Sequence, residues 1–178
     1  FNHCFDHLNL TDPQLIGSIH EEYINAGSDL IETNTYGANR YKLAQHGLEN
    51  LVREINYRGV KIARDRREIS GKDILVAGSI GPLGKLIGRF GGLTQAEARS
   101  LFSEQAEALL EGGVDLFMVE TIPDVEELRL AVEEIRKICD LPISGQVSIN
   151  DDLRTIRGSS PLEVLEAARE LKLDILGA

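Results

Sequence analysis

The chain has 178 residues, of which 42% are hydrophobic and 27% are charged, and its formal net charge at pH 7 is −10. This length and composition are typical of one folded domain with an apolar core rather than of a disordered chain. The negative charge argues against nucleic acid and anionic membrane surfaces as partners, because both are themselves negatively charged.

Cysteine usage and hydropathy indicate a cytoplasmic protein. The two cysteines, Cys4 and Cys139, are too few for a disulfide framework. No signal peptide opens the sequence, and no apolar run reaches the length of about eighteen residues that a membrane-spanning helix needs. His3, Cys4 and His7 lie close together, but their spacing lacks a fourth ligand, so we expect no structural metal there.

Strands and helices are predicted to alternate along the chain. The first helix is expected to be capped by Asp12 or Thr11, with Pro13 in its first turn and Gly27 after its end. A second helix is expected from residue 47 to about residue 67. Five apolar stretches are predicted as parallel strands, with starts near residues 29, 74, 115, 142 and 173.

Three further helices carry recognisable start signals. Thr94 with Glu97, and Asp124 with Glu127, have the spacing of capping boxes. The last helix is expected to begin within residues 160–163, Ser-Pro-Leu-Glu. Strict alternation of strand and helix then predicts a parallel sheet.

A repeated unit favours a (β/α)₈ barrel, or TIM barrel, over an open doubly wound sheet. In each copy a glycine and an aspartate lead into a strand that ends in Glu-Thr, first at Glu32 and again at Glu120. Polar residues follow several strands, and no Gly-x-Gly-x-x-Gly motif follows any strand. Because a whole barrel needs about 250 residues, we expect a truncated portion with about five or six βα units, and residues 1–178 as one domain incomplete at both ends.

Two glycine-rich stretches allow more than one interpretation. Residues 78–82, Gly-Ser-Ile-Gly-Pro, could cradle a phosphate or could serve tight packing, and the lack of a P-loop lysine favours packing. Residues 83–93 contain four glycines and are expected to form a mobile loop of the kind that closes over a substrate.

Four segments together resemble the homocysteine S-methyltransferase domain. They are Glu-Thr-Asn-Thr-Tyr-Gly-Ala-Asn-Arg at 32–40, Gly-Ser-Ile-Gly-Pro at 78–82, Val-Glu-Thr-Ile at 119–122 and Asp-Ile-Leu-Gly-Ala at 174–178. The resemblance spans almost the whole chain. It is closest to the bacterial bifunctional proteins that join this domain to a methylenetetrahydrofolate reductase, and it extends to the first module of cobalamin-dependent methionine synthase.

The resemblance implies an activity in methionine biosynthesis and one-carbon metabolism. In that family three cysteines bind zinc, and the zinc activates the thiol of homocysteine, which accepts a methyl group to give methionine. The implied partners are homocysteine, a methyl donor and fused reductase, cobalamin or folate modules. By position, Glu120 matches the carboxylate that holds the substrate ammonium, and Asn34, Thr35 and Ser79 match residues that line the pocket.

The resemblance places no catalytic residue and no metal ligand in this chain. Neither Cys4 nor Cys139 matches a zinc cysteine, and the first of these is expected beyond Ala178. The segment alone is therefore expected to bind no zinc and to be inactive. One alternative is another barrel enzyme, such as an aldolase or isomerase, which would require a strand-end lysine that none of the five strands has. The other is a non-catalytic half-barrel that self-associates through open sheet edges.

Overall fold

The computed structural model describes residues 4–88 and 92–178. Five parallel strands form one sheet and lie side by side in chain order. They are β1 (Leu30–Glu32), β2 (Leu75–Ile80), β3 (Leu116–Ile122), β4 (Ile143–Val147) and β5 (Ile175–Gly177). Each strand begins one or two residues after its predicted start. An unbroken parallel order of this kind is the one that consecutive strands of a (β/α)₈ barrel have.

The crossovers between the strands are helical. The helices are α1 (Leu8–Thr11), α2 (Pro13–Ala26), α3 (Arg40–Ala44), α4 (Val52–Ser70), α5 (Gln95–Gly112), α6 (Val125–Ile138) and α7 (Pro161–Glu170). Short 3₁₀ turns at Phe5–His7 and Glu49–Leu51 precede α1 and α4. None of the helices in the described ranges is both long and apolar enough to cross a membrane.

Most of the predicted helix starts are confirmed. The Asp12 side chain accepts a hydrogen bond from the Leu15 amide at 3.1 Å, so the cap of α2 is Asp12 and not Thr11. Gly27 ends that helix with φ at 102°, a conformation that glycine adopts without strain. Complete capping boxes open α5 at Thr94 and α7 at Ser160.

Two helix predictions are wrong in detail. The second predicted helix begins at Val52 rather than at residue 47, because a 3₁₀ turn occupies residues 49–51, and it continues to Ser70. The predicted capping box at Asp124 does not form. Asp124 accepts from the Glu126 amide, whereas the Glu127 carboxylate accepts from the Leu83 amide at 2.6 Å and so ties α6 to the loop after β2.

The helix-covered face of the sheet carries the main hydrophobic core. Alternate strand residues point toward the helices and are buried against them: Ile31, Val76, Ile80, Phe117, Val119, Ile143 and Val147. Gly78 lies on this face, and a Cβ there would come within 3.0 Å of Val114. At Gly81 a Cβ would come within 2.6 Å of Tyr36. Tight packing, rather than a phosphate cradle, therefore explains both glycines.

The other face of the sheet, the inner face, has a different composition. Ala77, Leu116, Met118 and Leu30 form a small apolar cluster on it. Beyond this cluster, toward the carboxyl ends of the strands, the side chains become polar. In the predicted loop at 83–93, Ile87 and Leu93 form a parallel bridge. Residues 89–91 lie outside the described residues, so the mobility of this loop stays a prediction.

Candidate functional site

Polar side chains from three neighbouring strands meet at the carboxyl edge of the inner face. Glu32 is the last residue of β1 and pairs in register with Ala77, two residues before Ser79 on β2. Ser79 in turn pairs with Met118, two residues before Glu120 on β3. Because side chains alternate along a strand, and ladder partners share a face, all three polar residues lie on the inner face.

Ser79 and Glu120 are in direct contact. The Ser79 hydroxyl donates a hydrogen bond of 2.6 Å to Oε1 of Glu120. Ser79 is buried and Glu120 is half-buried, so the carboxylate is held at the edge of the sheet with access to solvent. A short bond of this kind to an ionised oxygen is charge-assisted and fixes the orientation of the carboxylate.

Glu32 joins this contact from β1, which lies on the opposite side of β2 from Glu120. Its side chain shares a hydrogen bond with Glu120, and its pKa is raised to about 7 by burial, by the negative charge of Glu120 and by that hydrogen bond. More than a third of Glu32 is nevertheless exposed, so water offsets part of the effect of burial and the direct contact with Glu120 matters more. The sequence prediction did not include Glu32 in the site. The Glu-Thr pair that recurs at residues 32–33 and 120–121 was the sequence signal that could have indicated Glu32.

Thr35 supports the site from within the protein. It is fully buried, and its hydroxyl donates to the Ser79 carbonyl at 2.7 Å and contacts the Thr33 hydroxyl at 2.6 Å. The Ser79 amide donates to the same Thr33 hydroxyl at 3.0 Å. These bonds join the ends of β1 and β2, and they use the hydroxyl that the sequence assigned to the pocket. We therefore propose a positioning role for Thr35 rather than contact with a ligand.

Asn34 is bound to the first helices of the chain. Its Nδ2 donates to the Phe5 carbonyl at 2.8 Å and to Oδ1 of Asn9 at 3.1 Å. The buried Asn9 amide donates in return to the Asn34 carbonyl at 2.8 Å and to the Ile55 carbonyl at 3.1 Å. The Asn34 side chain therefore fixes the loop after β1 against the amino-terminal segment.

Tyr36 lies near Glu120. The sequence prediction did not include Tyr36 in the site. Its ring packs against Gly81, and its carbonyl accepts from the Gly81 amide at 3.0 Å. Its pKa is raised by burial, with the charges of Glu120 and Glu127 adding to the shift, while the side chain of Thr121 beside its hydroxyl opposes it. Thr121 has a positive φ of 58°, which is uncommon for a β-branched residue. The loop after β1 thus lies beside the end of β3.

Comparison with known proteins decides the family. A sequence model described as homocysteine S-methyltransferase matches residues 2–178. The chain belongs to the homocysteine S-methyltransferase family. It is 31% identical to the methionine synthases of Mycobacterium tuberculosis and Mycobacterium leprae over 182 residues in each case. These matches cover 98% of this chain and 15% of each relative, so the chain spans a small part of the curated relatives.

Solved structures of this family confirm the predicted barrel fold. The metallated form of the homocysteine methyltransferase MmuM from Escherichia coli superposes with a TM-score of 0.85 at 24% identity, covering 96% of this chain and 64% of that one. The oxidised form gives 0.86 at 23% identity, with coverages of 99% and 67%. The five-stranded sheet is accordingly a section of a (β/α)₈ barrel.

A second polar cluster contacts the ring of Tyr36. The Lys42 ammonium lies 4.7 Å from the centre of the Tyr36 ring, and the charges of Asp6 and Glu127 both act on it. Burial lowers the pKa of Lys42 and raises those of Asp6 and Glu127. Both carboxyl groups accept backbone amides, Asp6 from Gly37 at 2.9 Å and Glu127 from Leu83. This cluster holds the loops after β1 and β2 in place.

Metal-binding side chains do not converge in the part of the chain that the structure describes. No group of three histidine, cysteine, aspartate or glutamate residues there could hold a metal ion. Cys4 is half-buried, and burial is the main cause that raises the pKa of its thiol, which opposes the thiolate form that zinc requires. The residues that the structure describes do not fit a zinc site, and we assign no zinc ligand among them.

Proposed function

We propose that this chain forms the homocysteine-binding part of a homocysteine S-methyltransferase domain, which transfers a methyl group to the thiol of homocysteine to give methionine. The observation that carries the proposal is the contact between Ser79 and Glu120 at the carboxyl edge of the sheet. In barrel enzymes this edge holds the substrate.

The chemistry of the contact suits an amino acid. A primary ammonium group has N–H donors and no acceptor, so its partner must be an acceptor with negative charge. Glu120 supplies one, and the Ser79 hydroxyl sets its orientation before a ligand arrives. A carboxylate held in place beforehand loses little side-chain freedom on binding, which favours affinity.

The remaining parts of the activity stay predictions from the sequence resemblance. These are the activation of the thiol by zinc, the identity of the methyl donor, any fused modules and the inactivity of this segment alone. Residues 4–88 and 92–178 contribute to the binding and orientation of the amino acid, and none of them is assigned to the zinc.

Replacing Glu120 tests the proposal. In the complete protein, Glu120→Gln removes one charge-assisted hydrogen bond and should weaken homocysteine binding by about 1.5–3 kcal/mol, measured by titration calorimetry. Glu166→Gln removes a carboxylate from the exposed surface of α7 and serves as the matched control. If Glu120→Gln binds homocysteine as tightly as this control, Glu120 is not in the substrate site, and a lower melting temperature alone would indicate a structural role.

A further inference from the structure

We propose that Glu32 and Glu120 together hold the ammonium group of the amino acid ligand, which takes the place of a proton that the two carboxyl groups share in the empty site. This inference rests on the proposed function and adds a second binding residue and a proton release to it.

The shared proton follows from the placement of the two carboxyl groups, which the strand register brings to the same edge of the inner face. Ionised carboxylates only accept hydrogen bonds, so a hydrogen bond between the side chains of Glu32 and Glu120 requires that one of them be protonated. The Ser79 hydroxyl also donates to Glu120. Glu120 thus has a donor already in place, and Glu32 is the carboxyl group that carries the proton, in accord with its pKa of about 7.

Among residues 4–88 and 92–178, the groups around the pair include no competing cation. From α2, His20 and Tyr23 line the same cavity as Glu32, and burial and the charge of Arg66 lower the pKa of His20 to about 4, so His20 is neutral at physiological pH. From the loop after β1, Tyr36 lies near Glu120. The Lys42 ammonium lies against the Tyr36 ring, and the charges that act on it are those of Asp6 and Glu127.

No arginine or lysine among residues 4–88 and 92–178 forms an ion pair with Glu32 or Glu120. A ligand ammonium therefore supplies the positive charge that this pair of carboxyl groups lacks.

The exchange balances in charge and in protons. In the empty site the pair holds one proton and carries one negative charge. When the ligand binds, Glu32 loses its proton to the solvent, the pair carries two negative charges, and the ammonium group of the ligand contributes one positive charge. The pair and the ammonium together therefore carry one negative charge, as the singly protonated pair does in the empty site, and both carboxylates accept hydrogen bonds from the ammonium. No covalent bond forms or breaks apart from the O–H bond of Glu32.

The test measures proton release directly. The probe is L-methionine, which has the amino acid group of homocysteine but no thiol whose proton could be confused with that of Glu32. Titration calorimetry of the complete protein in buffers of different ionisation enthalpy should show a release of about one proton near pH 6 and almost none near pH 8.5. Binding should be about tenfold tighter near pH 8 than near pH 6, because Glu32 is already ionised at the higher pH.

Glu32→Gln is the decisive variant. It keeps the size of the side chain but carries no titrating proton, so it should release almost no proton near pH 6, and its affinity for L-methionine should change by less than about twofold between pH 6 and pH 8. Glu166→Gln, on the exposed surface, should behave as the unmodified protein does.

The outcomes separate this inference from the proposed function. If the unmodified protein binds L-methionine without proton release and with the same affinity at both pH values, the shared proton is overturned while amino acid binding stands, and this measurement needs no variant to fold. If Glu32→Gln still releases about one proton near pH 6, Glu32 is not the group that loses it. If Glu120→Gln leaves homocysteine affinity unchanged, the proposed function itself fails.

Discussion

The two faces of the sheet have the same backbone pattern and opposite side-chain chemistry. Phe117 and Val119 point toward the helices and are fully buried, whereas Met118 and Glu120 point to the inner face. One strand therefore contributes to the main core on one side and to the binding site on the other. Neighbouring residues of β3 are therefore subject to different physical demands. Phe117 and Val119 must pack closely against the helices, whereas Glu120 must be accessible to a ligand.

The largest expected effect is on the helix-covered face. Phe117→Ala removes a fully buried ring beneath the helices and should lower the free energy of unfolding by about 3–5 kcal/mol, measured by denaturant titration. Ile69→Ala, at an exposed position of α4, should change it by about 0.5 kcal/mol or less. Equal losses in the two variants would show that the helices of this face do not form the main core.

A smaller effect is expected where the inner-face site is anchored to the first helices. Asn9→Ala leaves the Asn34 and Ile55 carbonyls without their buried donor and should cost about 1–3 kcal/mol of stability. The exposed Asn150 provides the control, since Asn150→Ala removes no such bond. Thermal melts of both variants measure the difference, and an unchanged melt for Asn9→Ala would mean that the loop after β1 is held by other contacts.

The smallest effect concerns the pH dependence of stability. The pKa of Glu32 is about 7 in the folded protein, above the ordinary value of 4.5. The contribution of Glu32 to the stability of the folded protein is therefore fully present below pH 4.5 and is lost as the pH rises through 7. Glu32→Gln should therefore melt at a higher temperature than the unmodified protein near pH 8 and at a similar temperature near pH 4.5. If the difference in melting temperature between Glu32→Gln and the unmodified protein is the same at all pH values, Glu32 on the inner face ionises as an exposed carboxylate does.

Local sequence signals predicted the fold well because they act over a few residues. The boxes at Thr94 and Ser160 use partners three residues away, and both form. The box predicted at Asp124 fails because Glu127 bonds instead to Leu83, which is 44 residues away in the chain. Spacing alone cannot reveal a competing partner that only the folded chain brings near.

The same limit applies to the candidate site. Polar residues after several strands indicated the carboxyl edge of the sheet, and the family resemblance added Ser79 and Glu120, whose side chains are in contact in the structure. These sequence signals left the use of each side chain open. They could not show that the Thr35 hydroxyl is used by the neighbouring strand, or that the Asn34 amide is used by the first helices. The contact between Glu32 and Glu120 depends on the register of three strands, which no short motif encodes.

The close approach of Gly81 to Tyr36 has an evolutionary consequence. A Cβ at position 81 would come within 2.6 Å of both the ring and the carbonyl oxygen of Tyr36, so a larger residue there would require the loop after β1 to move. The side chain of Thr121 also lies beside the Tyr36 hydroxyl, so movement of that loop would change the contacts at the end of β3. Positions 36 and 81 should therefore vary together among homologues, with glycine retained at 81 wherever an aromatic residue occupies 36.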